Sequence, residues 1–238
     1  MDIFSAFAII GLAALVHASF QLSVSVLTLM SGHTIGTKKS RAKLFRLSAA
    51  YTSGAGIMSL LLLSLAVLVC LHIFPSGVTL GAWALNSGVA LGIGVAIWLF
   101  YYRQRKKGTE LWIPRAFADH LTERSKATKR SVEAFSLGLV TVIAELIFII
   151  PSLMLSALII LQLPNEWQLL GLAFYVLISL MGLLIVWLLI GGGHSISKIQ
   201  KWRESNKKFL QFAAGSALIV LGFFIYVSQV VAVTTGAL

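Results

Sequence analysis

Charged residues are scarce in this chain: eight acidic and nineteen basic side chains make up 11% of its 238 residues, while hydrophobic residues make up 58%. A water-soluble domain ordinarily carries about 25% charged residues, and it could not cover so much apolar surface with its own polar groups. The single cysteine, Cys70, excludes an internal disulfide and any CxxC redox or zinc motif. The composition therefore indicates a membrane protein.

Sequence motifs of enzymes and metalloproteins are missing as well. No apolar stretch carries paired histidines and carboxylates at metal-ligand spacing, and none contains an aspartate that could serve a Ser/His/Asp arrangement. The chain also has no GxxxxGK[ST] phosphate loop. We therefore expect no enzyme activity, no bound metal and no other cofactor. Any transport would be passive or driven by an ion gradient, unless a partner supplies the energy.

Six apolar stretches are present, each long enough for a membrane-spanning helix, which needs about 20 residues to cross a hydrocarbon core of about 30 Å. Helices also satisfy their own backbone hydrogen bonds in lipid. The predicted fold class is therefore all-α: a polytopic membrane protein with six transmembrane helices. The predicted spans are Phe4–Met30, Phe45–Ile73, Thr79–Tyr102, Val132–Leu161, Trp167–Ile190 and Phe209–Val233.

All nineteen lysines and arginines fall in the odd-numbered connections between these spans or at their edges: five at the first, nine in the third and five in the fifth. The five at the first include Arg46, the second residue of the second span. Odd-numbered connections share one side of the membrane, which the positive-inside rule makes cytoplasmic. We therefore predict a multi-pass protein of the cell membrane with cytoplasmic basic loops and both termini outside. The net charge of +11 then reflects topology and contact with membrane lipids, and it needs no nucleic acid to explain it.

The long basic third connection divides the spans into two groups of three. It predicts a first three-helix repeat at 1–102, a basic cytoplasmic linker at 103–131 and a second repeat at 132–238. Because each group has an odd number of spans, two homologous halves would have to insert in opposite orientations, as in inverted-repeat transporters. The sequence therefore predicts a 3+3 inverted repeat.

Polar residues in the first and fourth spans recur at helical spacing, so that each set lines one helix face. When each residue i is aligned with residue i+124, the polar positions of the two sets coincide, except that Ser25 is aligned with Ile149. We therefore predict a midplane polar site that binds a small solute or an ion. Its predicted residues are His17, Gln21, Ser25, Thr28, Thr141, Glu145 and Ser152.

Glu145 is the only acidic residue in the interior of a predicted span, since Glu133 is the second residue of the fourth span. A carboxylate within a bilayer costs several kcal/mol, so such a residue is typical of proton carriers and cation sites. The other interpretation is a neutral carboxyl that bonds Gln21 or a hydroxyl group and holds helices together. Pro151 lacks a backbone N–H and predicts a kink that opens the site or exposes a carbonyl oxygen to a cation.

The six spans in two groups of three, the basic loop between them and the outside amino terminus resemble the lysine-exporter superfamily. That group includes amino-acid exporters, cadmium and nickel/cobalt exporters and thiol-electron carriers. The segment Gly11–Ala18 resembles the histidine-containing first span of the nickel/cobalt exporters, without the acidic residue expected soon after it. The thiol carriers need cysteines in the first and fourth spans, which have none here. The resemblance implies export through an inverted-repeat fold.

The sequence thus predicts a secondary transporter or exporter, coupled to protons or another ion, that works by alternating access. The alternative is a non-transporting membrane protein with an assembly, immunity or scaffold role, in which the polar stripes only hold helices together. A lipid-handling membrane protein, whose basic residues bind head groups, is a further alternative. The oligomeric state stays open, a homo-oligomer included.

Overall fold

The structure is a computed structural model, and every secondary-structure element that it describes is helical, as predicted for an all-α fold. The residues described are 2–20, 24–28, 38–102, 115–193, 198, 201–202 and 205–235. The main helices are α1 (Ile3–Ser19), α2 (Lys38–Ile73), α3 (Leu80–Ile97), α4 (Arg115–Ala127), α5 (Ser131–Ala144), α6 (Leu146–Ile160), α7 (Asn165–Ser179), α8 (Met181–Gly191) and α9 (Lys207–Ile225). Helix α3 continues through a π-helical turn at Trp98–Tyr102, and α9 through Tyr226–Val231 and Ala232–Thr235.

Three helical segments are long and apolar enough to cross a membrane, namely Ala42–Ile73, Leu80–Phe100 and Lys208–Thr235. The pairs α5–α6 and α7–α8 qualify only when each bent pair counts as one span, which raises the number to five. Helix α1 is apolar but has only 17 residues. The described residues therefore hold three to five candidate spans, and the sixth stays a prediction.

The first predicted span, Phe4–Met30, is not one continuous helix. The Asp2 side chain caps α1 by accepting a hydrogen bond from the Ser5 N–H at 3.3 Å, and contacts with Ser5 lower the pKa of that carboxyl. The helix ends at Ser19, because Phe20 is extended, with φ −75° and ψ 132°. Helical structure returns at 24–28. Helix α1 alone is therefore about 25 Å long.

Helix α2 begins earlier than predicted, at Lys38 instead of Phe45. Its 36 residues extend about 54 Å, well beyond a hydrocarbon core of about 30 Å. The basic residues predicted for the first loop therefore belong to the first turns of α2. In the predicted linker at 103–131, α4 packs against α5, and its Leu121 is buried.

A glycine-mediated crossing brings the backbones of α2 and α5 into direct contact. A Cβ atom on Gly138 would overlap the carbonyl oxygen of Tyr51, and a Cβ atom on Gly54 would overlap that of Phe135. Glycine at both positions therefore permits an approach that no other residue allows.

Helices α3 and α9 form a second close pair. The Ser87 hydroxyl donates a hydrogen bond of 2.6 Å to the Gly222 carbonyl oxygen, and a Cβ atom on Gly94 would lie 2.9 Å from the Gly215 carbonyl oxygen. The glycines that allow this approach are not Gly88 and Gly92, where an added Cβ meets no described atom within 4 Å.

Large apolar side chains cover the outer faces of the helices. Leu68 in α2, Leu169 in α7 and Phe209 in α9 are 62%, 75% and 66% exposed. Water would oppose so much exposed apolar surface, whereas lipid or a partner helix would not. This surface is compatible with a membrane protein.

We expect Gly138→Ala to destabilise the protein by about 1–3 kcal/mol, because the added methyl group forces α2 and α5 apart. Gly88→Ala is the matched control, since it adds the same methyl group to a helix where no described atom lies within 4 Å. Thermal unfolding in detergent should give a lower Tm for Gly138→Ala only. Equal Tm values for the two variants would contradict the close crossing.

Candidate functional site

Three interruptions of helical structure meet at one small buried cavity. Helix α1 ends before Phe20, α5 turns by 80° into α6 at Glu145, and α7 turns by 55° into α8 at Leu180. All three residues line the cavity, and Ala55 and Ser59 of α2 line it as well. The polar side chains of the lining are those of His17, Ser59, Glu145 and Ser179.

Glu145 is the single residue between α5 and α6, and its backbone closes the turn. Its N–H donates to the carbonyl oxygens of Thr141 at 3.2 Å and Val142 at 3.1 Å. Its own carbonyl oxygen accepts from the N–H groups of Phe148 at 2.9 Å and Ile149 at 3.3 Å. The Glu145 side chain is 3% exposed and stands at the N-terminus of α6, where the helix dipole stabilises negative charge.

Leu180 forms the same kind of one-residue interruption between α7 and α8. Its φ of −83° and ψ of −1° nearly repeat the −83° and −6° of Glu145. Its N–H donates to Val176 at 3.1 Å, and its carbonyl oxygen accepts from Leu184 at 2.9 Å. Both interruptions therefore satisfy their own backbone groups, as a turn surrounded by apolar helices requires.

His17 and Tyr175 connect α1 to α7 beside the cavity. The His17 Nδ1 and Tyr175 Oη atoms share a hydrogen bond of 2.9 Å. His17 is 5% exposed and Tyr175 is fully buried. The phenol therefore fixes one nitrogen of the imidazole, while the imidazole also lines the cavity.

Two hydroxyl groups complete the polar lining of the cavity. The Ser179 hydroxyl donates to the Val176 carbonyl oxygen at 2.9 Å. The Ser59 hydroxyl is buried and has no hydrogen-bond partner among the described residues. A buried hydroxyl ordinarily has a partner, so Ser59 offers a donor and an acceptor to whatever enters the cavity.

The cavity suits a very small occupant. Its volume open to water-sized molecules is about 20 Å³, which is room for about one water molecule. Its lining contains neither lysine nor arginine, and the described residues contain no group of three His, Cys, Asp or Glu that could hold a metal ion. A proton, a water molecule or a small ion fits these dimensions.

The cavity brings together two of the seven predicted site residues, His17 and Glu145. Thr141 and Ser152 are fully buried but do not belong to its lining. The Thr141 hydroxyl donates to the Leu137 carbonyl oxygen of its own helix at 2.6 Å.

The remaining predicted site residues belong to the first predicted span. Ser25 and Thr28 are not part of the cavity lining, and the Thr28 hydroxyl donates to the Ser25 carbonyl oxygen at 2.8 Å. Gln21 lies outside the described residues.

The fourth predicted span bends by 80° at Glu145, six residues before Pro151, where we expected a kink. Pro151 lies inside α6, which runs from Leu146 to Ile160. The polar stripe predicted for one straight helix is therefore divided between two, with Thr141 in α5 and Ser152 in α6.

The sequence analysis did not identify Ser59, Ser179 or Tyr175. Tyr175 had a usable signal, because a tyrosine in the middle of an apolar stretch must find a partner for its hydroxyl group. Ser59 and Ser179 had none, since a serine hydroxyl can bond a carbonyl of its own helix, as Ser179 does.

We expect Ser59→Ala to change stability less than Ser87→Ala. The Ser87 hydroxyl donates to Gly222 in another helix, and losing such a bond costs about 1 kcal/mol, whereas the Ser59 hydroxyl has no described partner to lose. Thermal unfolding of the two variants in one detergent measures the difference. A larger loss in Ser59→Ala would show that its hydroxyl is structural.

Comparison of the chain with protein-family models, with curated proteins and with solved structures finds no match. The resemblance to the lysine-exporter superfamily therefore stays a prediction.

Proposed function

We propose that this chain is a multi-pass membrane protein that works as a secondary transporter or exporter of a small solute or ion, coupled to protons or another ion. One observation carries the proposal: the acidic side chain of Glu145 is buried at a helix interruption in a cavity that it shares with His17. The other acidic side chains whose burial the structure describes are exposed; they are Asp2, Asp119, Glu123, Glu133 and Glu166.

The membrane location is supported by surface and charge together. The outer faces of the helices carry exposed leucine and phenylalanine side chains, and all lysines and arginines lie in the odd-numbered connections of the six predicted spans or, for Arg46, at the edge of one. Lipid explains the first feature and the positive-inside rule explains the second. We infer six spans, with the basic connections in the cytoplasm and both termini outside.

Interrupted helices support the transport proposal. In inverted-repeat transporters, substrate and ion sites lie near the bilayer midplane, where discontinuous helices expose their ends and polar backbone. Irregular backbone at membrane depth is tolerated only inside protein or beside a cavity. The interruptions at Phe20, Glu145 and Leu180 follow this pattern, because all three line the same cavity.

Two helix crossings support the inverted repeat. Helix α1 meets α7 where a Cβ atom on Gly11 would lie 3.2 Å from the Phe174 ring, and α5 meets α2 where Phe135 approaches Gly54. The 124-residue offset aligns Gly11 with Phe135 in the sequence, and it aligns Ala50 with Phe174. Ala50 is one helical turn from Gly54. The first helix of each half thus crosses the second helix of the other half at corresponding positions.

The same offset relates the interruptions of the first and fourth predicted spans. It aligns Gln21 with Glu145, and α1 is interrupted at Phe20, immediately before Gln21. The two spans are thus interrupted within one residue of the same repeat position. The stacked rings of Phe20 and Phe148, 5.3 Å apart, connect the two interruptions.

The proposed mechanism uses the charge of Glu145 as the switch. A carboxylate favours the state in which water or a counter-ion reaches the cavity, whereas a protonated or ion-paired carboxyl favours a closed, apolar surrounding. Binding at Glu145 therefore shifts the balance between states that open to opposite sides. The bends at Glu145 and Leu180 are the positions where we propose that the helices move between these two states.

Glu145→Gln should abolish ion-coupled transport, because the amide copies the shape of a protonated carboxyl but cannot bind or release the ion. Glu166→Gln is the matched control, since Glu166 is exposed. Both variants are reconstituted in proteoliposomes with a pH-sensitive dye inside and tested against a panel of amino acids, metal ions and small organic ions. We expect at least a tenfold loss of coupled flux in Glu145→Gln only.

Thermal unfolding of the same preparations separates transport from packing. The proposal requires Glu145→Gln to remain folded and inserted. Full coupled flux in this variant would refute the proposal. No flux in the wild type, together with a large drop in Tm in Glu145→Gln, would favour the non-transporting alternative, in which Glu145 only joins helices.

A further inference from the structure

We infer that Tyr175 holds His17 as a hydrogen-bond donor at the cavity, and that the ion bound at Glu145 is therefore a proton and not a metal or alkali cation. The inference rests on the proposed function for the coupling step. It assigns Tyr175 as a positioning residue, and the hydrogen bond between Tyr175 Oη and His17 Nδ1 is its starting point.

The burial of Tyr175 decides the direction of that hydrogen bond. The side chain is fully buried, and His17 Nδ1 is the only hydrogen-bond partner of its hydroxyl group among the described residues. A buried tyrosine hydroxyl needs an acceptor. The phenol O–H therefore donates to Nδ1, which must carry a lone pair.

The neutral imidazole then carries its proton on Nε2, because only one ring nitrogen is protonated in that form. Nε2 is the polar atom of His17 that Tyr175 does not engage, and His17 lines the cavity. We assign this Nε2–H as the polar group of His17 at the cavity. The hydrogen bond at one nitrogen thus sets the chemistry of the other.

A protonated Nε2 cannot coordinate a cation, because coordination needs its lone pair, and the lone pair of Nδ1 already accepts from Tyr175. Zinc sites in proteins take about four ligands, and calcium sites take about six to eight oxygen ligands. The oxygen-bearing side chains of the lining that remain as ligands are those of Glu145 and Ser59, and the cavity has room for about one water molecule. Its donors therefore match a carboxylate that gains and loses a proton.

The proposed cycle conserves every atom. The Glu145 carboxylate takes a proton from a hydronium ion and leaves one water molecule, and the reverse step returns the proton on the other side. Among the described residues, the titratable groups at His17 are Tyr175 of α7, which shares its hydrogen bond, and Glu145 between α5 and α6, which lines the same cavity. Helices α2 and α8 add no charged or titratable side chain to the lining.

Nitrogen-15 NMR of protein labelled at histidine measures the tautomer directly, without any transport assay. The His17 signals are assigned by their loss in His17→Gln. We expect a protonated Nε2 and an unprotonated Nδ1 in the wild-type protein, and a change in this pattern in Tyr175→Phe. Tyr226→Phe is the matched control, because Tyr226 is 44% exposed. A protonated Nδ1 in the wild type, or an unchanged pattern in Tyr175→Phe, would overturn the assignment.

Cation binding is tested separately on the wild-type protein in detergent. A ligand of the folded state raises Tm, so we compare sodium, potassium, calcium and zinc chlorides with choline chloride of equal ionic strength. We expect no cation to raise the Tm of the wild type by more than it raises the Tm of Glu145→Gln. A cation that stabilises the wild type alone would overturn the proton assignment while leaving the proposed transport function intact.

The pH dependence of dye-reported proton flux tests the positioning role of Tyr175. We expect Tyr175→Phe to shift the pH profile and to lower the flux at least tenfold, while the protein stays folded and inserted with a Tm lowered no more than in Ser87→Ala. An unchanged profile would refute the role of Tyr175. Absence of proton flux in the wild type on any panel solute would instead refute the proposed function, and the tautomer would still be decided by NMR.

Discussion

A peptide chain that turns among apolar helices must satisfy its own N–H and C=O groups, because neither lipid nor aliphatic side chains can do so. At Glu145 this constraint is met by bonds to Thr141 and Val142 on one side and to Phe148 and Ile149 on the other. The turn therefore needs no polar side chain to close it. Glu145 also lines the cavity, and the chemistry proposed for the protein uses its carboxyl group there.

Two close helix pairs frame this turn. Glycine lets the α2 backbone touch that of α5, and it lets α3 approach α9 closely enough for the Ser87 hydroxyl to bond Gly222. These contacts involve backbone atoms, so they tolerate little adjustment. The cavity lies at the α2 side of this frame, and the hydrogen bond between His17 and Tyr175 joins α1 to α7 beside it. A rigid pair beside interrupted helices is a reasonable basis for a change between two states.

The sequence was sufficient to predict an all-α chain, the positions of the apolar stretches and the isolation of Glu145, because composition, length and charge are local properties. It also identified His17, whose helical spacing from other polar residues was visible. The interruptions at Glu145 and Leu180 could not be predicted, since neither is marked by an adjacent glycine–proline pair, and the visible breaker, Pro151, is accommodated within α6. The partner of His17 was also hidden, because Tyr175 lies 158 residues away in the sequence.

The central claim is that Glu145 binds and releases a proton inside the cavity. Infrared difference spectroscopy of the reconstituted protein during a pH titration tests it most directly, because a protonated carboxyl group has a C=O stretching band that a carboxylate lacks. We expect one such band from a carboxyl group shielded from water, reversible with pH and absent from Glu145→Gln. A wild-type spectrum without that band at any pH, or the same band in Glu145→Gln, would contradict the account.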